Sequence, residues 1–335
     1  MARVWTDGAE SGDTRFWDWI GPTSSVQTVS APAPIGGTYI YAGCPWGAYK
    51  VIDPLTEFYI RYRIRATVVE NNPHILAFRN STSNVSRLSL DALHRFCVVV
   101  GNTIVDTSSV VMQPDTWYLV EIHFKLADAP NGIFDVYLDG IHIINYTGDT
   151  NPAAFANIDN IYWDTSAYTT FYLDDLALND TTGIADNSWC GNGIITKMYP
   201  DGMGDTAWHG SDGDDISNHL LVDEFPDDGD LTYVYRDGDD SGTQDHYTLN
   251  DLDYTNKTIL RIWPEARARK TSDAGYTLKL GILASGGADD MSAGRTLFQD
   301  DYNRIVGDDY TVNPVDSNPW EEADLDALEM IIEVG

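Results

Sequence analysis

Short runs in which apolar and polar residues alternate recur along the chain, and Gly, Asn, Asp and Pro separate them. Alternation with a period of two is typical of a β-strand that buries one face. The clearest runs cover residues 58–64, 117–124 and 134–138. Asp139-Gly140 then provides residues that tolerate the positive φ angles of a tight hairpin turn, before a further run at 141–145. The pattern therefore predicts a chain built almost entirely of β-strands.

The run at 58–64 also predicts how its sheet is exposed. Arg61, Arg63 and Arg65 alternate with Tyr62 and Ile64, so one side of the strand is basic and the other is apolar. Antiparallel sheets commonly pack one face on the core and leave the other face in water. We therefore expect antiparallel sheets with one solvated face.

The strand pattern at 171–178 ends in a stretch rich in Asn, Asp and Gly that continues to residue 193. We place a domain boundary there, with one β domain over residues 1–182, which the family resemblance below implies is a jelly roll, and a second, acidic β-sandwich domain over residues 183–335. Only residues 321–328 have helical character. Further strand-like runs in the second half cover residues 231–235, 246–249, 259–263, 276–283 and 329–334. The predicted fold class is all-β, with two antiparallel β-sandwich (jelly-roll) domains in tandem.

The composition adds a strong charge imbalance to this picture. The 335 residues include 42 Asp but only 6 Lys, and the formal net charge is −32. Such self-repulsion destabilises a compact state in dilute buffer, but molar salt shortens the Debye length to about 3 Å. The composition favours a salt-rich setting, and the alternative is an ordinary acidic surface that maintains solubility. Nucleic acid is excluded as a partner because no basic stripe is present to bind phosphates.

Other features concern location and cysteine chemistry. The apolar runs are far shorter than the roughly 20 residues that span a bilayer, so we expect no membrane insertion. The N-terminal residues lack the pattern of a secretory signal, which favours assembly in the cytoplasm. Cys44, Cys97 and Cys190 are few and widely spaced, which argues against a disulfide framework.

Four segments of the first domain together carry a family resemblance. They are Trp5–Glu10, Asp115–Tyr118, Tyr137–Gly140 and Phe171–Asp175. In this order they resemble the concanavalin A-like, laminin G-like jelly rolls that recur in structural proteins of tailed viruses. Ala9 departs from the pattern, because the resembling proteins commonly carry an aromatic residue there. Segments of the second half look like the second β-rich domain of such virion proteins, and they cover residues 186–189, 221–226, 245–247 and 320–334.

The resemblance implies a sandwich whose sheet surfaces and edge loops bind glycans or neighbouring subunits. We therefore expect a virion structural protein of a halophilic host. It would be a capsid decoration or turret protein, or a tail-fibre subunit. It would assemble in the host cytoplasm and act at the virion surface. Its expected partners are major capsid or tail proteins, further copies of itself, and a host surface glycan or glycoprotein. The alternative is a carbohydrate-binding or carbohydrate-active protein that acts on cell-surface polysaccharide.

Catalysis is not expected. Glucanases of this fold place acids as Glu-x-Asp-x-Glu along one strand so that two carboxylates flank the scissile bond. No such triplet occurs here, and Asp135 and Asp139 are four residues apart with the second in a turn. Nucleophile-elbow, phosphate-loop and dinucleotide motifs are also lacking from the sequence.

Acidic residues are concentrated between Asp201 and Asp253, where Arg236 is the single base. Oxygen-rich loops of this kind bind calcium, and one segment has acid or hydroxyl groups at positions 1, 3, 5 and 9 with Gly242 at position 6. Position 12 is Thr248 rather than the bidentate Glu, so a solvated hairpin turn and a Ca²⁺ loop both remain open. The candidate ligands are Asp237, Asp239, Ser241 and Asp245.

A second metal candidate joins Asp174 and Asp175 to Asp7, since the first and last strands of a jelly roll often pair. Strand alternation lets only one of two adjacent acids face a given side, so a surface position is the preferred interpretation. His123 and His142 are expected to be polar surface residues and are candidates for cross-strand neighbours.

Aromatic residues in or beside predicted loops are candidates for contacts with a glycan or a partner. Exposed rings can stack on sugars or bury into another subunit, whereas core packing is the alternative for each single ring. The candidates are Trp17, Trp19, Trp46, Tyr49, Trp163 and Tyr168.

Overall fold

The structure is a computed structural model, and its chain divides into two compact units, Met1–Thr196 and Lys197–Gly335. It describes residues 3–10, 12, 14, 17–20, 25–28, 39–43, 47–69, 73–163, 171–224, 227–237, 241–252 and 257–335. Apart from short helical turns, the regular elements in these ranges are β-strands. All strand pairings between them are antiparallel, which confirms the predicted fold class.

The described residues of the first unit form fifteen strands, and consecutive strands lie either side by side in one sheet or in different sheets. The strands are β1 (Arg3–Asp7), β2 (Trp19–Ile20), β3 (Ser25–Thr28), β4 (Tyr39–Gly43), β5 (Ala48–Leu55), β6 (Glu57–Ala66), β7 (His74–Asn80), β8 (Ser83–Leu90), β9 (Arg95–Val100), β10 (Thr103–Val111), β11 (Tyr118–Lys125), β12 (Gly132–Leu138), β13 (Ile141–Gly148), β14 (Ile158–Trp163) and β15 (Phe171–Asp180).

These strands form two sheets. The eight-stranded sheet has the order β13-β12-β11-β6-β15-β4-β3, and β1 pairs with β15 beside β4. The seven-stranded sheet has the order β10-β9-β8-β7-β14-β5-β2. Along the described strands the chain changes sheets eight times, at β1–β2, β2–β3, β4–β5, β5–β6, β6–β7, β10–β11, β13–β14 and β14–β15. This arrangement is the predicted jelly-roll β-sandwich.

The core of the first unit lies between the two sheets, where alternate residues of each strand are buried. Phe58 and Phe124 of the eight-stranded sheet meet Phe78 of the seven-stranded sheet, with ring centroids 4.9 Å and 4.7 Å apart. All three rings are completely buried. Full burial of such a side chain contributes about 1.5–3 kcal/mol, so this layer stabilises the sandwich substantially.

In the second unit, the part of the chain that the structure describes forms ten strands, one α-helical turn and one 3₁₀ turn. They are β16 (Pro200–Met203), β17 (His209–Gly210), the 3₁₀ turn (Asn218–Leu221), β18 (Val234–Tyr235), β19 (Gln244–Leu249), β20 (Glu265–Ala268), β21 (Thr277–Leu283), β22 (Asp290–Met291), β23 (Arg295–Thr296), β24 (Asn303–Val306), α1 (Glu322–Leu325) and β25 (Glu329–Val334).

One six-stranded antiparallel sheet organises the second unit. Its order is β16-β19-β25-β21-β22, and β23 also pairs with β21. Two smaller sheets, β17-β18 and β20-β24, lie outside it. The predicted helical segment is the short α1, which begins with a capping box between Glu321 and Asp324. Its only buried side chain is Leu325.

The boundary between the units lies after Thr196, whereas the sequence analysis places it after Thr182. The Gly- and Asn-rich stretch resembles a linker, but residues 188–195 bind to the outer face of the eight-stranded sheet. Gly191 N donates to Glu121 Oε1 over 2.8 Å, and Ile195 N donates to Asp175 Oδ1 over 2.7 Å. We call residues 188–195 the strap. Among the described residues, no helix is long and apolar enough to cross a membrane.

Candidate functional site

The predicted aromatic contact residues divide between the core and the surface. Trp17 and Trp163 are buried, and their rings pack edge to face with centroids 5.0 Å apart. Trp5 packs against both rings. Trp17 and Trp163 are therefore core residues and are not available to a glycan, which corrects the expectation for these two. Trp46 and Tyr168 lie outside the described residues.

Trp19 and Tyr49 lie at the surface and begin a row of three rings. Trp19 on β2 pairs with Tyr49 on β5, and Tyr49 pairs with Tyr162 on β14. Direct cross-strand neighbours point to the same side, so all three rings lie on the outer face of the seven-stranded sheet. Trp19 and Tyr49 are nearly parallel, at 13° and 5.7 Å between centroids, and Trp19 is 38% exposed. We call these three residues the aromatic row.

Polar groups flank the aromatic row at both ends. The Arg79 guanidinium lies 3.4 Å from the centre of the Tyr162 ring, a cation–π contact, and Arg79 Nε donates to Asn84 Oδ1 over 2.6 Å. At the other end, Asp18 Oδ2 accepts from Val51 N at 2.8 Å and lies 3.1 Å from Lys50 Nζ. The surface therefore combines stacking rings with charged and amide groups that form hydrogen bonds.

The described residues of the predicted calcium loop do not come together as a set of metal ligands. Asp237 and Ser241 are exposed, and Asp239 lies outside the described residues. Asp245 is fully buried. Among all described residues, no group of three or more His, Cys, Asp or Glu side chains is arranged to hold a metal ion. The Ca²⁺ loop stays a prediction.

Asp245 has a structural role in the second unit. Its Oδ1 accepts from the backbone N of Ala207 and of Trp208, and its Oδ2 accepts from Asn218 Nδ2 and the Tyr247 hydroxyl. Four protein donors therefore occupy both oxygens of this carboxylate. The contact with Asp245 raises the pKa of Tyr247, although burial is the larger cause.

The acids of β15 are buried rather than exposed, which corrects the preferred sequence interpretation. Asp7, Asp174 and Asp175 are almost fully buried. The register between β15 and β6 shifts between Asp174 and Ala177, and Asp175 has a φ of 52°. This β-bulge interrupts strand alternation, so that both adjacent acids are buried.

The two adjacent acids differ in their partners. Asp175 Oδ2 accepts from Arg63 Nε at 2.7 Å, and burial raises its pKa while Arg61 and Arg63 oppose that rise. Asp174 Oδ1 accepts from Asp175 N, but its Oδ2 is buried and has no hydrogen-bond partner among the described residues. Burial first, and then the charges of Asp175 and Glu10, raise the pKa of Asp174 well above the usual range. The surroundings therefore oppose ionisation more strongly at Asp174 than at Asp175.

The outer face of the eight-stranded sheet brings His123 and His142 close to one carboxylate. They are not direct partners across the strands, since His123 pairs with Asp135 and His142 pairs with Tyr137. Trp189 of the strap covers part of this face. Sequence reasoning missed Trp189, because it belongs to a segment that resembles a linker. It also missed Tyr162, although alternation with the buried Ile161 and Trp163 could have placed that ring outside.

Comparisons with protein-family models and with curated proteins give no match. Among solved structures, the chain is similar to an endo-β-1,4-glucuronan lyase from the fungus Trichoderma reesei, at 14% identity and a TM-score of 0.41, covering 55% of this chain and 97% of that one. It is also similar to the alginate lyase Aly36B, at 13% identity and a TM-score of 0.35, covering 54% and 93%. A galectin from Caenorhabditis elegans matches at 10% identity and a TM-score of 0.31, covering 40% and 91%. The fold assignment rests on the sheet topology described above.

Proposed function

We propose that this protein binds carbohydrate through the aromatic row on the outer face of the seven-stranded sheet. The observation that carries the proposal is the alignment of Trp19, Tyr49 and Tyr162 on three neighbouring strands. Neighbouring strands are about 4.8 Å apart, a spacing comparable to one sugar ring. The apolar C–H face of a pyranose stacks on such rings, while its hydroxyls exchange hydrogen bonds with polar groups beside them.

The flanking groups fit this role. Arg79 supplies planar donors beside Tyr162, and Asn84 supplies an amide that both donates and accepts. Stacking and hydrogen bonding suffice for binding, whereas glycoside hydrolysis would require a pair of carboxylates across the bond. We therefore propose a binding protein rather than an enzyme, consistent with the expectation from the sequence.

A binding experiment tests this proposal. Purified protein in molar KCl is titrated with neutral, amino and uronic hexasaccharides, followed by calorimetry. Trp19→Ala is expected to weaken binding at the aromatic row by about tenfold, because a stacked ring contributes roughly 0.5–1.5 kcal/mol beyond its buried area. Tyr233→Ala is the matched control, since this half-exposed tyrosine lies in the second unit.

The outcomes separate clearly. Binding that Trp19→Ala weakens and Tyr233→Ala preserves supports the aromatic row. Absence of binding to any hexasaccharide, or equal affinities in both variants and the wild type, contradicts the proposed function.

We also propose where such a protein acts, namely at a virion surface in a salt-rich host, as a homo-oligomer next to capsid or tail proteins. The support is the composition of 42 Asp against 6 Lys together with the jelly-roll sandwich. Gradient separation of heads and tails, with mass spectrometry of each fraction, tests this. Presence of the protein in heads or tails supports the virion proposal. Its absence from all particles would favour a cellular carbohydrate-binding protein instead.

A further inference from the structure

The outer face of the eight-stranded sheet carries a second concentration of rings and polar groups, away from the aromatic row. One row across the strands runs from Tyr59 through His123 and Asp135 to Asn145. The next row contains Glu121, Tyr137 and His142. We call these seven residues, together with Trp189, the histidine–aromatic array.

A β-bulge in β13 brings the outer part of this array together. Asp135 pairs with Asn145 and Val136 with Ile144, but Tyr137 pairs with His142, so one residue of β13 is extra at this point. Residues 142 and 145 have opposite parity and would face opposite sides of a regular strand. The bulge therefore places both side chains on the outer face.

The rings of the array are ordered by contacts with one another. Tyr59 stacks on His123 at 4.3 Å and 9°, and Tyr137 stacks on His142 at 4.4 Å and 5°. Trp189 packs edgewise against Tyr59 at 5.3 Å and against Tyr137 at 4.8 Å. Trp189 nevertheless remains 37% exposed, so it presents ring surface to solvent.

Hydrogen bonds of the strap fix Trp189 in this position. Asn179 Nδ2 donates to Ser188 O at 2.8 Å, immediately before Trp189. Gly191 N donates to Glu121 Oε1 at 2.8 Å, and Arg63 Nη2 donates to Asn192 Oδ1 at 2.8 Å. A ring held on both sides in this way loses little conformational entropy when a ligand stacks on it.

The charges of the array select against acidic ligands. Glu57, at its edge, lies 3.0 Å from His123 Nε2 and 3.1 Å from Lys125 Nζ, and these contacts outweigh burial and lower its pKa. Asp135 lies 3.9 Å from His123 Nδ1 and 3.6 Å from His142 Nε2, both beyond hydrogen-bond range. Its Oδ1 is buried and accepts no hydrogen bond from the part of the chain that the structure describes. A ligand that donates a hydrogen bond would satisfy this acceptor, whereas a ligand carboxylate would be repelled.

We propose that the histidine–aromatic array is a second sugar-binding site, for a pyranose that has hydrogen-bond donors and carries no acid group. The sugar stacks on Trp189, donates to Asp135 after a small turn of the half-exposed His142 ring, and contacts Asn145 at the outer edge. This inference rests on the proposed carbohydrate-binding function. Because the two sites lie on opposite outer faces of one sandwich, a single molecule can bind two glycan chains at once.

Calorimetric stoichiometry in molar KCl tests the inference. The probes are hexasaccharides of β-1,4-linked glucose, of glucosamine and of glucuronic acid. At probe concentrations near the wild-type Kd, where a site weakened tenfold stays largely empty, the wild type is expected to bind two molecules of the glucose or glucosamine probe per chain, Trp19→Ala one, Trp189→Ala one, and the double variant none. Asp135→Asn is expected to weaken the second site by about tenfold or more, since a hydrogen bond to a charged group is worth about 1.5–3 kcal/mol.

Two controls address folding and specificity. Asn145→Ala leaves the strap intact and is expected to weaken the same site, because Asn145 contacts the sugar, and Ile141→Ala, at an exposed neighbour on β13, is expected to leave it unchanged. Thermal unfolding of each variant reports whether the sandwich is preserved. The glucose and glucosamine arms distinguish a neutral sugar from an amino sugar, and either supports the inference.

The inference and the proposed function fail in different ways. Binding of one molecule per chain that Trp19→Ala abolishes and Trp189→Ala leaves unchanged overturns the second site alone. Tighter binding of the glucuronic acid probe at the array overturns its ligand class. No binding of any probe overturns the proposed function itself.

Discussion

Replacement of Asp174 by asparagine is expected to stabilise the first unit at neutral pH. Asp174 is 1% exposed, and its Oδ2 is buried and accepts no hydrogen bond from any described residue. The neighbouring Asp175 is compensated by Arg63, but Asp174 faces the like charges of Asp175 and Glu10. An unsatisfied buried group costs about 1–3 kcal/mol, and more when it is charged. Asparagine keeps the need for a hydrogen bond but removes the charge, so the variant is expected to recover about 1–2 kcal/mol. For a unit of this size that corresponds to a rise in Tm of roughly 2–4 °C per kcal/mol.

The pH dependence follows from the sign of the shift. The pKa of Asp174 is raised in the folded state, so the folded protein retains a proton that the unfolded chain has already lost. Stability is therefore lost progressively as pH rises from the ordinary value of 3.8 through the raised value. The difference between the variant and the wild type is expected to be small at acidic pH and largest at neutral pH.

Thermal unfolding from acidic to neutral pH, in molar KCl with EDTA, measures this effect. Asp175→Asn is the matched control, and it is expected to destabilise the protein because Arg63 would lose its buried counter-charge. If Asp174→Asn lowers the Tm as Asp175→Asn does, the reasoning is refuted. A parallel series with calcium in place of EDTA tests compensation by a metal. Calcium that stabilises the wild type but not Asp174→Asn would show that a cation, rather than a proton, neutralises Asp174.

Three further predictions concern single residues. Burial raises the pKa of the thiols of Cys97 and Cys190 to about 11. In a Cys44→Ser background, a maleimide is therefore expected to label the folded protein slowly at pH 8 and the urea-unfolded protein quickly. Rapid labelling of the folded protein would contradict this. Phe78→Ala is expected to lower the free energy of unfolding of the first unit by about 3–5 kcal/mol in urea titrations, because the Phe78 ring packs on three other phenylalanines. A decrease below about 1 kcal/mol would contradict the central position of this ring. Asp245→Ala is expected to lower the free energy of unfolding of the second unit by more than about 3 kcal/mol in urea titrations, because four donors lose their acceptor. An unchanged free energy of unfolding would indicate that those hydrogen bonds contribute little.

Alternation in the sequence is sufficient to predict the regular strands. The run at 58–64 lies within β6, and its basic and apolar sides are the outer and inner faces of the sheet. The predicted exposure of the basic side to solvent is wrong at Arg61, which is 3% exposed because the strap covers it, with Arg61 Nη1 donating to Gly191 O at 3.2 Å. The Asp139-Gly140 turn joins β12 to β13 with φ angles of 51° and 79°, as the residue types predict. Local chemistry determines these features, so the sequence reveals them.

The candidate sites depend on departures from regular structure, and these were not predictable. The bulges at Asp175 and in β13 change which face a residue occupies, and no residue type in those segments marks the extra position. Trp163 lies beside a predicted loop in the sequence, yet its ring is buried because Trp5 and Trp17 pack on it from distant segments. Trp189 reaches the surface array through backbone hydrogen bonds of a Gly-rich stretch, and such bonds leave no pattern in the side chains.

The distribution of charge leads to a last prediction, that lowering salt unfolds the second unit before the first. Residues 197–335 carry a net charge of −21, whereas the longer first unit, residues 1–196, carries −11. A decrease from about 1 M to about 0.1 M salt lengthens the Debye length from about 3 Å to about 10 Å, so repulsion between exposed carboxylates grows most in the second unit. The first unit also has a larger continuous core, which resists that repulsion better. Hydrogen exchange followed by peptide mass spectrometry during stepwise dilution of KCl measures each unit separately. The expected result is that β19, β21 and β25 lose protection from exchange at salt concentrations where β6 and β11 remain protected. The reverse order would show that core packing rather than net charge determines the salt requirement.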